Sequence, residues 1–348
     1  MSSTIGVGVI GAGILGKRHA RVFSELPGSA VEAVADTDFG RAEKAAGGVG
    51  ARAYADYVSL LCDPAVDVLS VATPDHLHHD PVVAALKAGK HVLVEKPLAT
   101  SLSEARNMIR EARAVGRILQ VNFSQRFVPE HAWAKKQIED GAIGDLLVFR
   151  SVANDTISVP TDMISWAGHS SPLLFMSSHH LDLICWYAGA DIEEVYAYEV
   201  SRELEARGIA TPDAVEAIVR FSNGAVANLH SAWVYPNTYP TVADSSLEII
   251  GTKGAIQLDL GGSGYLYSPD SAQKVKLATA YEVGGALYGA FRHSLELFLQ
   301  SVSTGTEPMT SAARTLPVTL VQMAIGRSLA THLPTEVEQP NDEGHGLA

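Results

Sequence analysis

The chain has 348 residues, and 26 Lys and Arg against 39 Asp and Glu give it a formal net charge of −13. At roughly 150 residues per domain the length predicts two domains, and the 47% hydrophobic content predicts a sizeable core and excludes wholesale disorder. The acidic balance argues against nucleic acid or anionic membrane as partners, because both need clustered Lys and Arg.

In chain order, Ile5–Ile10 reads as a strand, a Gly-rich turn follows, and a helix runs to about Leu26. Val31–Ala35, Val66–Ala72, His91–Val94 and Ile118–Asn122 read as further strands, with a helix over Ser103–Val115. Ala88-Gly89-Lys90 reads as a helix C-terminus ending on glycine. Such alternation predicts a parallel sheet covered by helices. After Asn122 the rhythm changes. Helices are predicted over Pro129–Asp140, Ser170–Ala188, Tyr288–Val302 and Ala312–Thr331. Strands are predicted over Leu146–Val152, Glu194–Val200, Ala214–Phe221, Ala225–Trp233, Leu247–Ile250 and Ala255–Leu260. Asn223-Gly224 between two of them is a hairpin signal. The expected organisation is a dinucleotide-type domain over 1–122, an α+β domain over 123–333 and a mobile polar tail over 334–348.

No apolar run approaches the roughly 18 residues of a membrane span, and Met1–Gly6 lacks the character of a signal peptide. Only Cys62 and Cys185 are present, so neither a disulfide framework nor a structural zinc site is expected. A cytoplasmic chain is the expectation.

Gly11-Ala12-Gly13-Ile14-Leu15-Gly16 is a GxGxxG between a predicted strand and a predicted helix. The glycines permit a tight turn and close approach of a pyrophosphate to the helix N-terminus. Asp36 ends the next strand, where a carboxylate accepts from the ribose hydroxyls of NAD and repels the 2′-phosphate of NADP. Arg41 is the nearest cation and leaves NADP as the alternative. NAD is the expected cofactor.

Val94-Glu95-Lys96-Pro97 closes a strand at the carboxyl edge, where ligands bind in open α/β sheets. Lys96 there could stabilise a developing alkoxide, or could be a solvated strand-end lysine. On the helix, His179 and Asp182 share a face, and His is the natural acid/base near neutral pH. His179 and His180 point about 100° apart on a helix, so no shared metal is expected.

Together with Thr73-Pro74-x-x-x-His78, Ala88-Gly89-Lys90-His91-Val92 and His179-x-x-Asp182, these segments resemble the glucose–fructose oxidoreductase/inositol dehydrogenase (Gfo/Idh/MocA) family over roughly Ile5 to Ala330. The resemblance implies a Rossmann domain and a second domain whose large open, mostly antiparallel sheet mediates homodimers or homotetramers. It implies oxidation or reduction of sugars, glycosides or cyclic polyols with a pyridine nucleotide. Lys96 matches the catalytic lysine, His179 the catalytic histidine and Asp182 the acidic residue one turn on. Asp36 matches the ribose position; Thr73, Pro74 and His78 line the nicotinamide side, and Glu95 and Asn122 complete the cofactor set with Gly11, Gly13, Ile14, Leu15 and Gly16. The family pattern places an Asp four residues before the histidine, where this chain has Phe175. That departure puts inositol or glucose specificity in doubt and leaves Lys96 and His179 in place.

For substrate contacts, Arg126 is a candidate donor or a structural ion-pair member. Asp155, Trp166 and His169 precede the catalytic helix, and Trp166 could stack on a sugar face or be core. Trp233–Pro236 is a candidate wall. No polybasic pocket is visible, so a neutral substrate is favoured over a phosphorylated one. Two other readings stand beside the dehydrogenase: an NAD-dependent glycosidase with a transient redox step, and a non-catalytic dinucleotide-binding sensor.

Overall fold

A computed structural model describes residues 4–259, 263–268, 271–276 and 280–340. The chain divides into two compact units, Met1–Ser124 with Ala280–Leu316, and Gln125–Thr279 with Pro317–Ala348.

The first unit begins with β1 (Ile5–Ile10), α1 (Ile14–Glu25), β2 (Ser29–Ala35), α2 (Phe39–Gly47), β3 (Arg52–Tyr54) and α3 (Tyr57–Leu61). It continues through β4 (Val68–Val71), α4 (His79–Lys87), β5 (His91–Val94), α5 (Leu102–Ala114) and β6 (Leu119–Val121). The six strands pair in parallel in the order β3-β2-β1-β4-β5-β6. This is the doubly wound order, with its switch point between β1 and β4. β4 is buried along its whole length, as a strand covered on both faces must be. Asp38, Asp56 and Ser101 cap α2, α3 and α5 by accepting from the backbone N–H three residues on.

The second unit holds α6 (Pro129–Glu139), β7 (Leu146–Thr156), α7 (Pro172–Phe175), α8 (Ser177–Ala188), β8 (Ile192–Val200) and α9 (Glu203–Ala206). β9 (Ala214–Phe221), β10 (Val226–Tyr235), β11 (Ala243–Gly251), β12 (Ala255–Asp259), β13 (Ser263–Ser268) and β14 (Ser271–Lys276) follow. The predicted Asn223-Gly224 turn joins β9 to β10, with Gly224 at φ +85 and its N–H on Phe221 O. Where one helix is expected over Ser170–Ala188, the chain breaks at Met176 between α7 and α8. Pro172 starts the first piece, and the Ser171 side chain caps it by accepting from Leu174 N.

The chain then forms a hairpin, β15 (Ala280–Val283) and β16 (Ala286–Gly289), followed by α10 (Ala290–Thr304), α11 (Ala312–Thr331) and β17 (Thr335–Glu336). The sequence reading assigns everything from 123 to 333 to the second domain. α10 instead belongs to the first unit, where Leu295, Phe298 and Leu299 join Val7, Val9 and Phe23 in one buried cluster. Nothing local to α10 could announce this, because its apolar stripe fits any apolar face. The expected mobile tail is described as far as residue 340. Thr335 and Glu336 pair with β8, Val337 is buried, and Gln339 donates to Ile192 O at 2.8 Å. The rest of that tail, 341–348, lies outside the described residues.

The second unit's strands form one nine-stranded sheet, β14-β13-β12-β11-β7-β10-β9-β8-β17, antiparallel throughout except between β7 and β10. Along β9 burial alternates residue by residue, so one face is packed and the other open. No helix among the described residues is long and apolar enough to cross a membrane.

Candidate active site

In the first unit, the segments after β1, β2, β4 and β5 lie at the carboxyl edge of the parallel sheet. Gly11 follows β1 at φ +92, and a Cβ there would lie 2.6 Å from Ala72 O. A Cβ on Gly16 would sit 1.7 Å from Gly11 O, so the turn closes only with glycine at both positions. Gly13 differs. A Cβ there would meet nothing within 4 Å, which leaves an open cradle at the mouth of α1. No side chain caps α1 and no acidic residue sits in its first turn, so its N–H groups remain for an anion. Ile14 beside them is exposed and Leu15 half-buried.

Asp36 follows β2 directly and is half-buried. Its Oδ2 accepts from Ala12 N at 2.7 Å and its Oδ1 from Asp38 N at 2.8 Å, which fixes the carboxylate beside the glycine turn. A carboxylate oxygen has a second lone pair, so both remain able to accept from ribose hydroxyls. Arg41 is held by Asp38 at 3.2 Å. The glycine cradle, the bare helix end and Asp36 together fit a dinucleotide.

Thr73 and Pro74 follow β4, and Thr73 Oγ1 donates to Leu77 O at 3.2 Å. His78 is buried, its Nδ1 2.8 Å from Pro97 O and its Nε2 3.1 Å from Thr73 O. It ties the turn after β4 to the turn after β5, and burial pushes its imidazole below the ordinary value. Lys96 follows β5, half-buried, with a cis bond to Pro97. Glu95 is buried and still held down to about 2. Burial opposes ionisation, but hydrogen bonds from His19 and Asn122 and the charges of His19 and Lys96 outweigh it.

His19, fully buried on α1, is the residue that sequence reasoning missed. Its signal was readable: Gly16, His19, Ala20 and Phe23 share the buried face of α1, where an imidazole requires a partner. The Glu95 carboxylate is that partner, 2.8 Å from Nε2.

In the second unit, α8 carries His179, half-buried, and Asp182, fully buried. Asp182 accepts from a guanidinium of the same unit. Arg126 donates to Asp182 from Nε at 2.8 Å and from Nη2 at 2.6 Å, with its guanidinium over the Trp186 ring at 5.5 Å. Arg126 and Asp182 form a buried ion pair. Burial pushes the Asp182 carboxyl up while the guanidinium pulls it down. His180 faces the sheet between Ser151 Oγ at 2.6 Å and Ser245 Oγ at 2.8 Å, and burial lowers its imidazole to about 4.

Phe175 packs edge-on to Trp166 at 5.7 Å and tilted to Trp233 at 6.1 Å. Trp233 is fully buried and donates to Pro212 O, so its ring is core. Asp155 is buried near the end of β7, opposite Ala243 of β11, and His169 is exposed on the turn before α7. Among the described residues no group of three or more His, Cys, Asp or Glu could hold a metal ion.

Residues 5–123 match a family model described as the Gfo/Idh/MocA oxidoreductase family, NAD-binding Rossmann fold, and residues 131–257 match the Gfo/Idh/MocA C-terminal domain. The chain belongs to the Gfo/Idh/MocA family. This Gfo/Idh/MocA chain is 30% identical over 259 residues to scyllo-inositol 2-dehydrogenase (NAD(+)) of Bacillus subtilis, covering 74% of each chain. It is 27% identical over 337 residues to myo-inositol 2-dehydrogenase of Thermotoga maritima, covering 96% of this chain and 98% of that one. A solved levoglucosan dehydrogenase, in complex with NADH and L-sorbose, superposes with TM-score 0.85 at 27% identity over 97% of this chain and all of that one. The protein is an NAD-binding dehydrogenase of this family.

Proposed function

We propose that this enzyme oxidises a secondary hydroxyl of a neutral sugar, glycoside or cyclic polyol, with Lys96 and His179 acting at that hydroxyl. The observation that carries the reading is the set of groups at one sheet edge: the open Gly13 cradle, Asp36, and Lys96 on the turn after β5. NAD, when bound, supplies the hydride acceptor. His179 takes the hydroxyl proton as general base, and the Lys96 ammonium donates to the same oxygen and stabilises the alkoxide charge. In the reverse direction His179 returns the proton to the ketone oxygen. The half-buried rings of Trp166 and Phe175 offer apolar faces to the C–H side of a sugar ring. The names of the relatives, inositol and levoglucosan dehydrogenases, support a neutral polyhydroxylated substrate.

The proposal includes a homo-oligomer through the open face of the nine-stranded sheet. Tyr198, exposed at 56%, and Ile218, at 49%, lie on adjacent strands and support that interface. The free thiols of Cys62 and Cys185 support a cytoplasmic setting.

The test is turnover of myo-inositol, scyllo-inositol, levoglucosan and simple glycosides with NAD and with NADP, followed at the reduced-nicotinamide absorbance. Lys96→Ala and His179→Ala should each lower kcat by about 10²-fold or more on the substrate found. No turnover across the panel, or full turnover in both variants, would overturn the reading.

A further inference from the structure

Five side chains of the first unit form one continuous buried chain across five elements. Ser70 Oγ on β4 lies 2.7 Å from His19 Nδ1 on α1, and His19 Nε2 lies 2.8 Å from Glu95 Oε1 after β5. Asn122 Nδ2, after β6, donates to the same Glu95 oxygen at 2.7 Å, and Ser294 Oγ on α10 donates to Asn122 Oδ1 at 2.7 Å. The Lys96 backbone N–H donates to Glu95 Oε2 at 3.2 Å. An ionised carboxylate only accepts, so the His19 Nε2–H donates to Glu95. Ser70 and His19 are fully buried, so neither can touch a ligand directly.

A buried carboxylate is costly unless it is hydrogen-bonded and matched by charge. This one is built to stay ionised, and the Lys96 charge is among the causes that keep it so. Electrostatic coupling is mutual, so the Glu95 anion favours the ammonium form of Lys96 in return. Other titratable groups come from neighbouring elements of the unit. His19 faces it from α1, and His78 and Asp75 come from the turn after β4. From α10, Arg292 turns to Glu25 and His293 to Glu296, while Ser294 reaches it only through Asn122.

We propose that Glu95, anchored by His19 and Asn122, is the positioning residue that holds Lys96 as a fixed ammonium donor. His19 acts one step further back, by setting the carboxylate's orientation. A tight bundle of donors makes the charge beside Lys96 part of the fold, so it does not depend on which substrate is bound. The inference rests on the role of Lys96 proposed above.

The experiment is competitive labelling of the full chain with trace acetic anhydride across neutral to alkaline pH, reading the Lys96 peptide by mass spectrometry. Wild-type Lys96 should titrate at or above the ordinary lysine value of about 10.4. Glu95→Gln should lower that midpoint by about one unit or more, making Lys96 about 10-fold more reactive at a fixed pH. His19→Gln, whose amide can donate to the same oxygen, should keep the wild-type midpoint, and His19→Leu should fall between. A structural staple would lower thermal stability in these variants without moving the midpoint. A wild-type midpoint well below the ordinary value, or an unmoved midpoint in Glu95→Gln, overturns the proposal; the wild-type value decides if that variant does not fold. Labelling needs no substrate, so the two readings fail separately. Full turnover in Lys96→Ala removes the catalytic role alone, whereas an inactive Lys96→Ala with an unmoved Glu95→Gln midpoint removes this inference alone.

Discussion

Arg126 holds Asp182 by two hydrogen bonds, Nε to Oδ2 at 2.8 Å and Nη2 to Oδ1 at 2.6 Å, in a site where both side chains are buried. The carboxylate one turn beyond His179 is thereby committed to a guanidinium. Arg126→Leu should cost about 3–5 kcal/mol, because it leaves an unmatched buried charge. The double variant Arg126→Leu/Asp182→Leu should recover much of that loss. Urea unfolding of the two variants checks this; equal losses in both would mean the pair itself, and not the orphaned carboxylate, sets the cost.

The history of that pair shows where sequence reading stops. The first sheet was legible because its strands are short β-branched runs punctuated by glycine turns, and the GxGxxG and Asp36 lie where the fold requires them. Lys96 and His179 were legible as residue types in a pattern. The partners were not. Arg126 and Asp182 are 56 residues apart, and His19 and Glu95 are 76 apart, so no local periodicity joins them. The return of α10 to the first unit is non-local in the same way. Chain topology decides such pairings, and only the folded chain displays it.

Two glycines of one turn should respond in opposite ways to the same substitution. Gly16→Ala places a Cβ 1.7 Å from Gly11 O, so it should unfold the first unit at a markedly lower temperature. Gly13→Val fills open space, so thermal stability should stay near wild type while NAD binding weakens by about tenfold or more. Calorimetric unfolding beside NAD titration separates them; unweakened NAD binding in Gly13→Val would mean the cradle is not the pyrophosphate site.

Cofactor choice should turn on Asp36. Its carboxylate is fixed by Ala12 and Asp38 backbone N–H groups, and Arg41 is held by Asp38. Asp36→Ser with Thr37→Arg removes the repulsion and adds a phosphate partner, so the ratio of kcat/KM for NADP over NAD should rise by about 10-fold or more. A wild type that already prefers NADP would refute the role of Asp36.

Stability should fall on mild acidification because of two imidazoles in the second unit, His180 buried and His131 half-buried. Burial holds His180 near about 4 and His131 near about 3. Unfolded histidine titrates at about 6.5, so the unfolded chain takes up protons first as pH drops. The sign follows: stability is full above about 6.5 and is lost as pH falls toward the folded values, by at most about 1.4 kcal/mol per pH unit for each group. Glu95, held at about 2, adds its own loss only below about 4.5, the ordinary carboxyl range. Unfolding free energy at pH 7 and pH 5 should differ by several kcal/mol, and His180→Gln should flatten that difference. An unchanged slope in His180→Gln would show that its ring is not buried as a neutral group.

Phe175 stands where the family pattern has a carboxylate, and its ring is packed against Trp166 and Trp233 within an apolar cluster that includes Ile164 and Met176. Phe175→Leu keeps the site apolar and should cost less than about 2 kcal/mol. Phe175→Asp places a carboxylate against two indoles, so it should cost about 2–5 kcal/mol and the new carboxyl should titrate above its ordinary range. His179 lies four residues on, across the break at Met176. If the new carboxylate faced that imidazole, it would favour the protonated ring, and the acidic limb of kcat/KM for oxidation would move to higher pH. The packing of the wild-type ring toward Trp166 and Trp233 predicts the other outcome: a clear loss of stability with the acidic limb unmoved. Thermal unfolding and the pH profile measured on the same variant decide between them. A stable Phe175→Asp with a raised acidic limb would show that position 175 addresses the base, and that its aromatic ring here sets the proton affinity of His179.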